Sequence, residues 1–350
     1  MTTNPYILDI LSQPSALQTT LKQFDAAPLA PLAAAIQRGD FDHIVLSGMG
    51  ASLYASYPTW FTLSAAGLPV LWVDTSELIH YAPGIVTPRT LLWLVSQSGK
   101  SAEIVSALDF GRVQRPAALL ATVNDLDSPL SKATEIFDGL SARLPIHTMA
   151  EQTVSTRTYT NTLAINQLAA LALLGKEVET ARSALEQTSA RMEGYLANWE
   201  ERVEKLGEQI GFPKRLAILG RGSSLASTYT GALTLGEASK FLATPYQAGE
   251  FRHGPMELAH PDLTLLLFAG LDETRDLNLR LLNDLRGYQV NAFWIGAEMN
   301  EWQIELPQVP AIGLPLMEIL PMQLLSIHFA KQIDVEPGHF FRTGKITLSE

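Results

Sequence analysis

The 350-residue chain has no cysteine. That absence excludes disulfides, thiolate nucleophiles and cysteine-based zinc sites together. Histidine does not replace it as a metal ligand: His253 and His260 stand seven apart with Glu257 between them, and no His-x-x-x-His or His-x-His pair occurs. Positive charge is also scarce. Twenty-five Lys and Arg face 36 Asp and Glu, a formal net charge of -11, which excludes a non-specific nucleic-acid binder. A phosphorylated metabolite stays admissible, because one phosphate is held by local dipoles rather than by global charge. Apolar runs such as Leu263 to Gly270 are too short to cross a bilayer. The start, Met1-Thr2-Thr3-Asn4-Pro5, lacks a basic region followed by an apolar one. The expectation is a soluble cytoplasmic protein without a membrane or nucleic-acid partner.

What is present is a globular composition, 47% hydrophobic and 17% charged, on a chain long enough for two domains. Residues 5 to 40 have amphipathic helical spacing. Short apolar strands follow at His43 to Ser47, Leu68 to Val73, Leu91 to Val95 and Ala117 to Val123. Helical pattern then runs from about Gln152 to Leu174 and from Glu177 to about Leu206, and the strand theme restarts at Leu216 to Leu219. Strands alternating with helices predict α/β architecture, parallel sheets with helices on both faces.

The restart is a repeat. Gly48, Gly50, Ser52, Leu53 and Tyr57 match Gly220, Gly222, Ser224, Leu225 and Tyr229 at a constant offset of 172 residues, and Thr90-Leu91-Leu92 matches Thr264-Leu265-Leu266 at 174. An offset held over two strands implies two copies of one α/β unit, expected at 1–200 and 201–350. The copies differ where the third of these strands ends. The first continues as Ser96-Gln97-Ser98-Gly99-Lys100-Ser101, the second as Ala269-Gly270-Leu271-Asp272.

Strand, hydroxyl-rich turn, helix is an arrangement that aims backbone N–H groups at an anion. Ser96, Ser98 and Ser101 add hydroxyls, and Gly99 lets the backbone approach closely. Two readings fit: a phosphate cradle, or an ordinary Ser/Gly turn capping a helix. The Gly48-x-Gly50-x-Ser52 turn and its Gly220 twin lack the third glycine of a dinucleotide fingerprint, since Leu53 and Leu225 stand there. They suit close backbone approach to a small ligand.

In the second copy, His253 sits between Glu250, Arg252 and the Gly254-Pro255 turn, a charged loop that favours a functional histidine over a core one. Glu237 lies on a largely apolar helix, either facing solvent or held in a cleft. Lys345, near the end, reads from composition as solvated surface.

These residues resemble a known family, the sugar isomerase (SIS) domain proteins, in the double-domain form of the isomerase half of glucosamine-6-phosphate synthase and of related deaminases and deglycases. The likeness covers roughly residues 40 to 350 and rests on Ser96 to Ser101, on Glu151-x-x-Val154-Ser155-Thr156-Arg157-Thr158 and on Gly249 to Pro255. The resemblance implies two tandem three-layer αβα SIS domains, each with a central parallel sheet. It implies a small phosphorylated sugar as substrate, no cofactor and no metal, and a homodimer whose active site is shared between subunits.

It assigns Ser96, Gln97, Ser98 and Ser101 to the phosphate, Gly50 and Ser52 to the glycine turn beside the sugar, and Val154 and Ser155 to the sugar hydroxyls. Glu237 becomes the catalytic base, His253 the ring-opening group and Lys345 the Schiff-base lysine. Two departures stand out. Thr234 and Thr230 occupy the positions of a lysine and a second glutamate in the synthase, and there is no cysteine for a glutaminase. The implied function is phosphosugar isomerisation or deamination, with a deglycase acting on a phosphorylated fructosamine, or a non-catalytic phosphosugar-binding regulator, as alternatives.

Overall fold

The computed structural model describes residues 3–297, 302–342 and 344–347. Ten strands form two parallel five-stranded sheets. The first contains β1 (His43–Gly48), β2 (Val70–Asp74), β3 (Thr90–Ser96), β4 (Ala118–Val123) and β5 (Leu140–Pro145), ordered β2-β1-β3-β4-β5. The second contains β6 (Arg215–Gly220), β7 (Ala243–Gln247), β8 (Leu263–Phe268), β9 (Asn291–Gly296) and β10 (Gln303–Glu305), ordered β10-β9-β8-β6-β7. Both sheets therefore follow one topology, and the strand pairs that carry the 172 and 174 offsets, β1 with β3 and β6 with β8, are central neighbours in each. β3, β4 and β8 are buried at every residue, as a sheet covered on both faces requires.

Two compact units hold these sheets, and neither is continuous in sequence. The first comprises Ser15–Ala150, Thr156–Ser183 and Arg342–Glu350; the second comprises Met1–Pro14, Glu151–Ser155 and Ala184–Phe341. In the first unit, the core between the sheet and its helices gathers Val45, Leu92, Leu94, Ile104, Leu119, Val123 and Leu130. Two of its helices border the serine turn: α1 (Ala102–Gln114), directly after it, and α2 (Pro129–Glu135), whose N-cap is Ser128.

In the second unit the helices are α3 (Leu225–Ser239), α4 (Asp272–Gly287) and α5 (Leu314–Gln332). Helix α5 packs on α3 where Gly231 has no side chain; a Cβ there would lie 2.8 Å from the Met322 Cγ. The N-terminal helix Pro5–Leu11 joins this unit through Tyr6 Oη to Ser326 Oγ at 2.8 Å, and Gln13 Nε2 donates to Gln323 Oε1 at 2.8 Å.

The structure corrects the expectation that every apolar run is too short to cross a membrane. Ala311–Gln332 has the length and mean hydropathy of a span, yet 83% of its most apolar window is buried inside the protein. A helix apolar on every side belongs to a core as readily as to a bilayer, and this one is a core helix of the second unit.

Helix α5 also carries a buried carboxyl. Glu318 is 1% exposed, accepts a 2.8 Å hydrogen bond from Ser224 Oγ on Oε1, and leaves Oε2 without a partner. Burial pushes its pKa from 4.5 up to about 8, the Ser224 bond opposing only part of the shift. The unfolded chain ionises this group at much lower pH than the folded one, so between the two values folding takes up a proton. Its contribution is complete below the unfolded pKa and is lost as pH rises toward the folded one, by up to about 1.4 kcal/mol per pH unit. The expected outcome is that stability measured by urea denaturation declines less steeply between about pH 5 and pH 8 in Glu318→Gln than in the parent. Equal slopes contradict this account.

Candidate functional site

In the first unit, the serine turn leaves the carboxyl end of β3, beside the carboxyl end of β1. Ser96 Oγ accepts the Gly99 N–H at 3.1 Å, and Ser98 Oγ accepts the Lys100 N–H at 3.2 Å. Each hydroxyl thereby shapes the turn and keeps its own proton for another acceptor. The main chain of Gln97 is fixed by the N–H groups of Asn124 and Asp125, at 3.0 and 3.3 Å from its carbonyl oxygen. Gly99 has φ +61°, and a Cβ would fall 2.8 Å from the Ser128 Cβ and 3.0 Å from the Val123 Cγ2. Only glycine meets both conditions.

Ser101 occupies the N-cap of α1 without making a side-chain cap bond, and its hydroxyl has no hydrogen-bond partner among the described residues. Lys100 pairs with Asp125, and that hydrogen bond holds the Asp125 carboxyl below its usual range. Glu103, in the first turn of α1, is 8% exposed with a buried Oε2 that has no partner.

The glycine turn ends β1. Gly48 lies so close to β3 that a Cβ would sit 2.7 Å from the Val95 carbonyl oxygen; Gly50 follows with φ +49°, and the Ser52 N–H donates to the Met49 carbonyl at 3.1 Å. The C-terminal tail also belongs to this unit. Thr347 accepts the Ala102 N–H, the first of α1, at 3.1 Å, and Lys345, two residues earlier, is half-buried. A cavity of about 460 Å³ opens at the opposite, amino-terminal end of β3 and β4, lined by groups such as Leu92, Gly111 and Phe137. It is mostly apolar, with Arg112, Arg115 and Asp138 also in its lining, and none of the turn residues line it.

In the second unit, Glu237 lies half-buried near the end of α3. Tyr6 feels the charges of both Glu237 and Glu151, which add to burial in raising the phenol above its ordinary range, against the hydrogen bond to Ser326. Gly338, at φ +79°, donates its N–H to the Ala238 carbonyl at 3.0 Å; a Cβ there would lie 2.6 Å from the Tyr6 Cβ and 3.2 Å from the Thr153 Oγ1. The segment carrying Val154 and Ser155 is thus brought to the end of α3, with Val154 buried and Ser155 half-buried. Lys240 caps the helix by donating to the Glu237 and His339 carbonyls.

His253 is placed differently. It follows the 3-10 turn Glu250–Arg252 with its N–H on the Glu250 carbonyl at 2.8 Å, and its exposed imidazole makes no hydrogen bond among the described residues. Each unit therefore gathers its own residues: Gly50, Ser52, Ser96, Gln97, Ser98 and Ser101 in one, Glu237, Val154 and Ser155 in the other. Tyr6 and Glu151 join the second group, although neither is a site residue on the sequence reading. Glu151 opens one of the motifs and so carries a signal; nothing adjacent in sequence marks Tyr6.

Residues 212–330 match the family model for the SIS domain. The match covers one such domain, where the sequence predicts two, and falls on the half that holds Glu237 and His253. The chain is 27% identical over 347 residues to glutamine–fructose-6-phosphate aminotransferase (isomerizing) of Escherichia coli O6:H1; the alignment takes in 94% of this chain and 56% of the relative. The chain thus spans about half the length of the curated relatives it matches.

Among solved structures, the C-terminal domain of glucosamine-fructose-6-phosphate aminotransferase from Francisella tularensis superposes with a TM-score of 0.82 at 22% identity, covering 95% of this chain and 97% of that one. Tagatose-6-phosphate ketose/aldose isomerase from Escherichia coli gives 0.82 at 21%, covering 96% of each. At that identity the two structures establish the fold and nothing finer.

The turn geometry separates a residue that holds the turn from one whose side chain does not. Gly99→Ala is expected to cost about 1–3 kcal/mol, because it forces a side chain into the left-handed region against Ser128. Ser101→Ala is expected to leave stability within about 0.5 kcal/mol, since its hydroxyl holds nothing in the protein. Urea denaturation of the two variants checks both; a large loss in Ser101→Ala would make that hydroxyl structural.

Proposed function

We propose that the protein is a cytosolic enzyme acting on a hexose 6-phosphate or amino-sugar 6-phosphate, by aldose–ketose isomerisation with or without loss of ammonia. The observation that carries this reading is the serine turn, in which Ser96 and Ser98 hold the backbone while keeping hydroxyl protons, and Ser101 keeps its whole hydroxyl unspent. Three such donors around a glycine at φ +61° suit a phosphate monoester. The similarity to the isomerizing aminotransferase supports the same reading. Gln97, Gly50 and Ser52 complete the phosphate and sugar contacts in this proposal, and Val154 and Ser155 meet the sugar hydroxyls. The first sheet then belongs to a second SIS copy, with the copies divided at residues 200 and 201.

The chemistry follows from the residue types. Isomerisation moves a proton between the first two carbons of the open-chain sugar, and Glu237 is the carboxylate that removes and returns it. Lys345 condenses with the carbonyl, losing water, and the iminium acidifies the carbon to be deprotonated. His253 opens the ring by acid–base transfer at the ring oxygen. Its exposure on one chain supports a homodimer in which the histidine serves the neighbouring subunit.

A second reading, deglycation of a phosphorylated fructosamine, draws on Thr230 and Thr234. Both are buried on α3 at 1% exposure, at positions where a synthase-like sequence would carry charged groups.

The test uses Glu237→Gln with glucosamine 6-phosphate and fructose 6-phosphate in deuterated water. The variant is expected to retain sugar-phosphate binding while exchange of the C1 or C2 hydrogen falls by about 100-fold or more. Unchanged exchange removes Glu237 from the role, and binding by the parent without exchange, ammonia release or isomerisation makes the protein a phosphosugar sensor.

A further inference from the structure

The second sheet repeats the strand order of the first, so it has its own switch point, between β6 and β8, where flanking connections run in opposite directions. Crevices at the carboxyl ends of strands on either side of such a point are where open α/β sheets bind ligands. The β8 turn here has lost the serines. The β6 turn has instead placed Arg221 where the first copy has Met49.

Arg221 is built into position. Its Nε donates to the Asn278 Oδ1 at 2.8 Å, and the fully buried Asn278 is itself fixed by donating Nδ2 to the carbonyls of Phe268 and Ala269, at 3.2 and 3.1 Å. The end of β8 thus holds the arginine that ends β6. Gly249 gives the guanidinium its room: a Cβ there would come within 3.0 Å of Nη1. The terminal nitrogens Nη1 and Nη2 have no hydrogen-bond or ion-pair partner among the described residues.

The surroundings supply further donors. The buried Ser223 Oγ has no partner. Gly222 has φ +55° with open space where a Cβ would stand. Gly270, at φ +73°, leaves a small polar recess, since its missing Cβ would lie 3.3 Å from the Asn278 Nδ2, 3.6 Å from the Thr274 Oγ1 and 3.8 Å from the Ser224 Oγ. Arg252 is close enough that its charge, after burial, contributes to lowering the basicity of Arg221; it is held by Asp284 at 2.7 Å. Two guanidinium groups near each other, one with an unspent fork, are electrostatically costly until an anion arrives. Asp272 and Glu273, in the first turn of α4, are exposed and bring negative charge to the same strand end. Neither pairs with Arg221, so they weaken the field without filling the fork.

We infer that the carboxyl end of the second sheet is a second oxyanion site, in which the Arg221 fork and the Ser223 hydroxyl take the phosphate of a phosphate monoester. It is distinct from the serine turn and does not depend on the catalytic reading. A bidentate guanidinium suits the phosphate group, while the open Gly222 and the Thr274 hydroxyl oxygen, whose proton goes to the Leu271 carbonyl at 3.5 Å, suit a small polar body attached to it.

The test is equilibrium dialysis of the full chain against radiolabelled inorganic phosphate and, separately, glucose 6-phosphate. Two binding sites per chain are expected. Ser98→Ala with Ser101→Ala should remove one, while Arg221→Ala weakens the other by about tenfold or more. Arg221→Lys, which keeps the charge and loses the fork, should fall between. Should Arg221→Ala fail to fold, Arg221→Lys and Ser223→Ala decide, each with its melting temperature measured: weaker binding in a folded variant supports the site, and binding equal to the parent overturns it. One site per chain, abolished by the serine variants and indifferent to Arg221, also overturns it. A single site in the parent, dependent on Arg221 and indifferent to the serine variants, would instead support this site and count against the catalytic proposal.

Discussion

The left-handed residue at Gly99 is the constraint on which the serine turn depends. Its carbonyl and N–H reverse within a space closed by Ser128 and Val123, so the backbone, and not a side chain, occupies the ground next to β4. That reversal lets Ser96 and Ser98 accept N–H groups from Gly99 and Lys100. A helix then begins directly at Ala102, whose own N–H is taken by Thr347 of the tail. The turn is therefore left-handed at one glycine, which adopts that region at no steric cost, and its backbone is held by the bonds around it, while its hydroxyl protons stay available.

The two sheets show how one topology supports different chemistry. In the first, hydroxyls and a left-handed glycine stand at the end of β3, and Gly48 brings β1 close to Val95. In the second, the matching turn is Ala269-Gly270, and a guanidinium on the neighbouring strand end is braced by Asn278. Fold alone does not fix function; the side chains on the strand ends do. Near Glu237, burial and then the charges of Glu237 and Glu151 raise the Tyr6 phenol, whose hydroxyl is engaged by Ser326, while burial lowers Lys240 against the pull of Glu237.

Much of the fold is legible in the sequence. Apolar runs mark β1, β3, β4, β6 and β8, because strands buried on both faces read as continuous hydrophobic segments. The 172-residue offset announces the topology that the two sheets share. Strands β5, β7 and β10 carry no such mark, whereas β9 carries one, Ala292 to Ile295, that is missing from the strands expected above. β5 and β7 lie at sheet edges and alternate with polar residues, and β10 is three residues long. The apolar helix α5 stays hidden because its hydrophobicity has no face, and periodicity is the signal for a helix. The serine turn is visible as a motif, whereas Glu237 is singled out only by the resemblance, its helix alone leaving a solvent-facing reading open. The pairing of Tyr6 with Ser326, 320 residues away, is not, since only tertiary packing brings such groups together. Asn278 and Arg221, 57 residues apart, are hidden for the same reason.

The central claim is that a sugar phosphate is anchored by the Ser96–Ser101 turn. The most direct measurement is a crystal structure of the protein with glucosamine 6-phosphate bound. The account predicts phosphate oxygens within hydrogen-bonding distance of the Ser96, Ser98 and Ser101 hydroxyls, with the turn backbone unmoved and Gly99 still left-handed. A sugar phosphate bound only elsewhere, with those hydroxyls facing water, would contradict it.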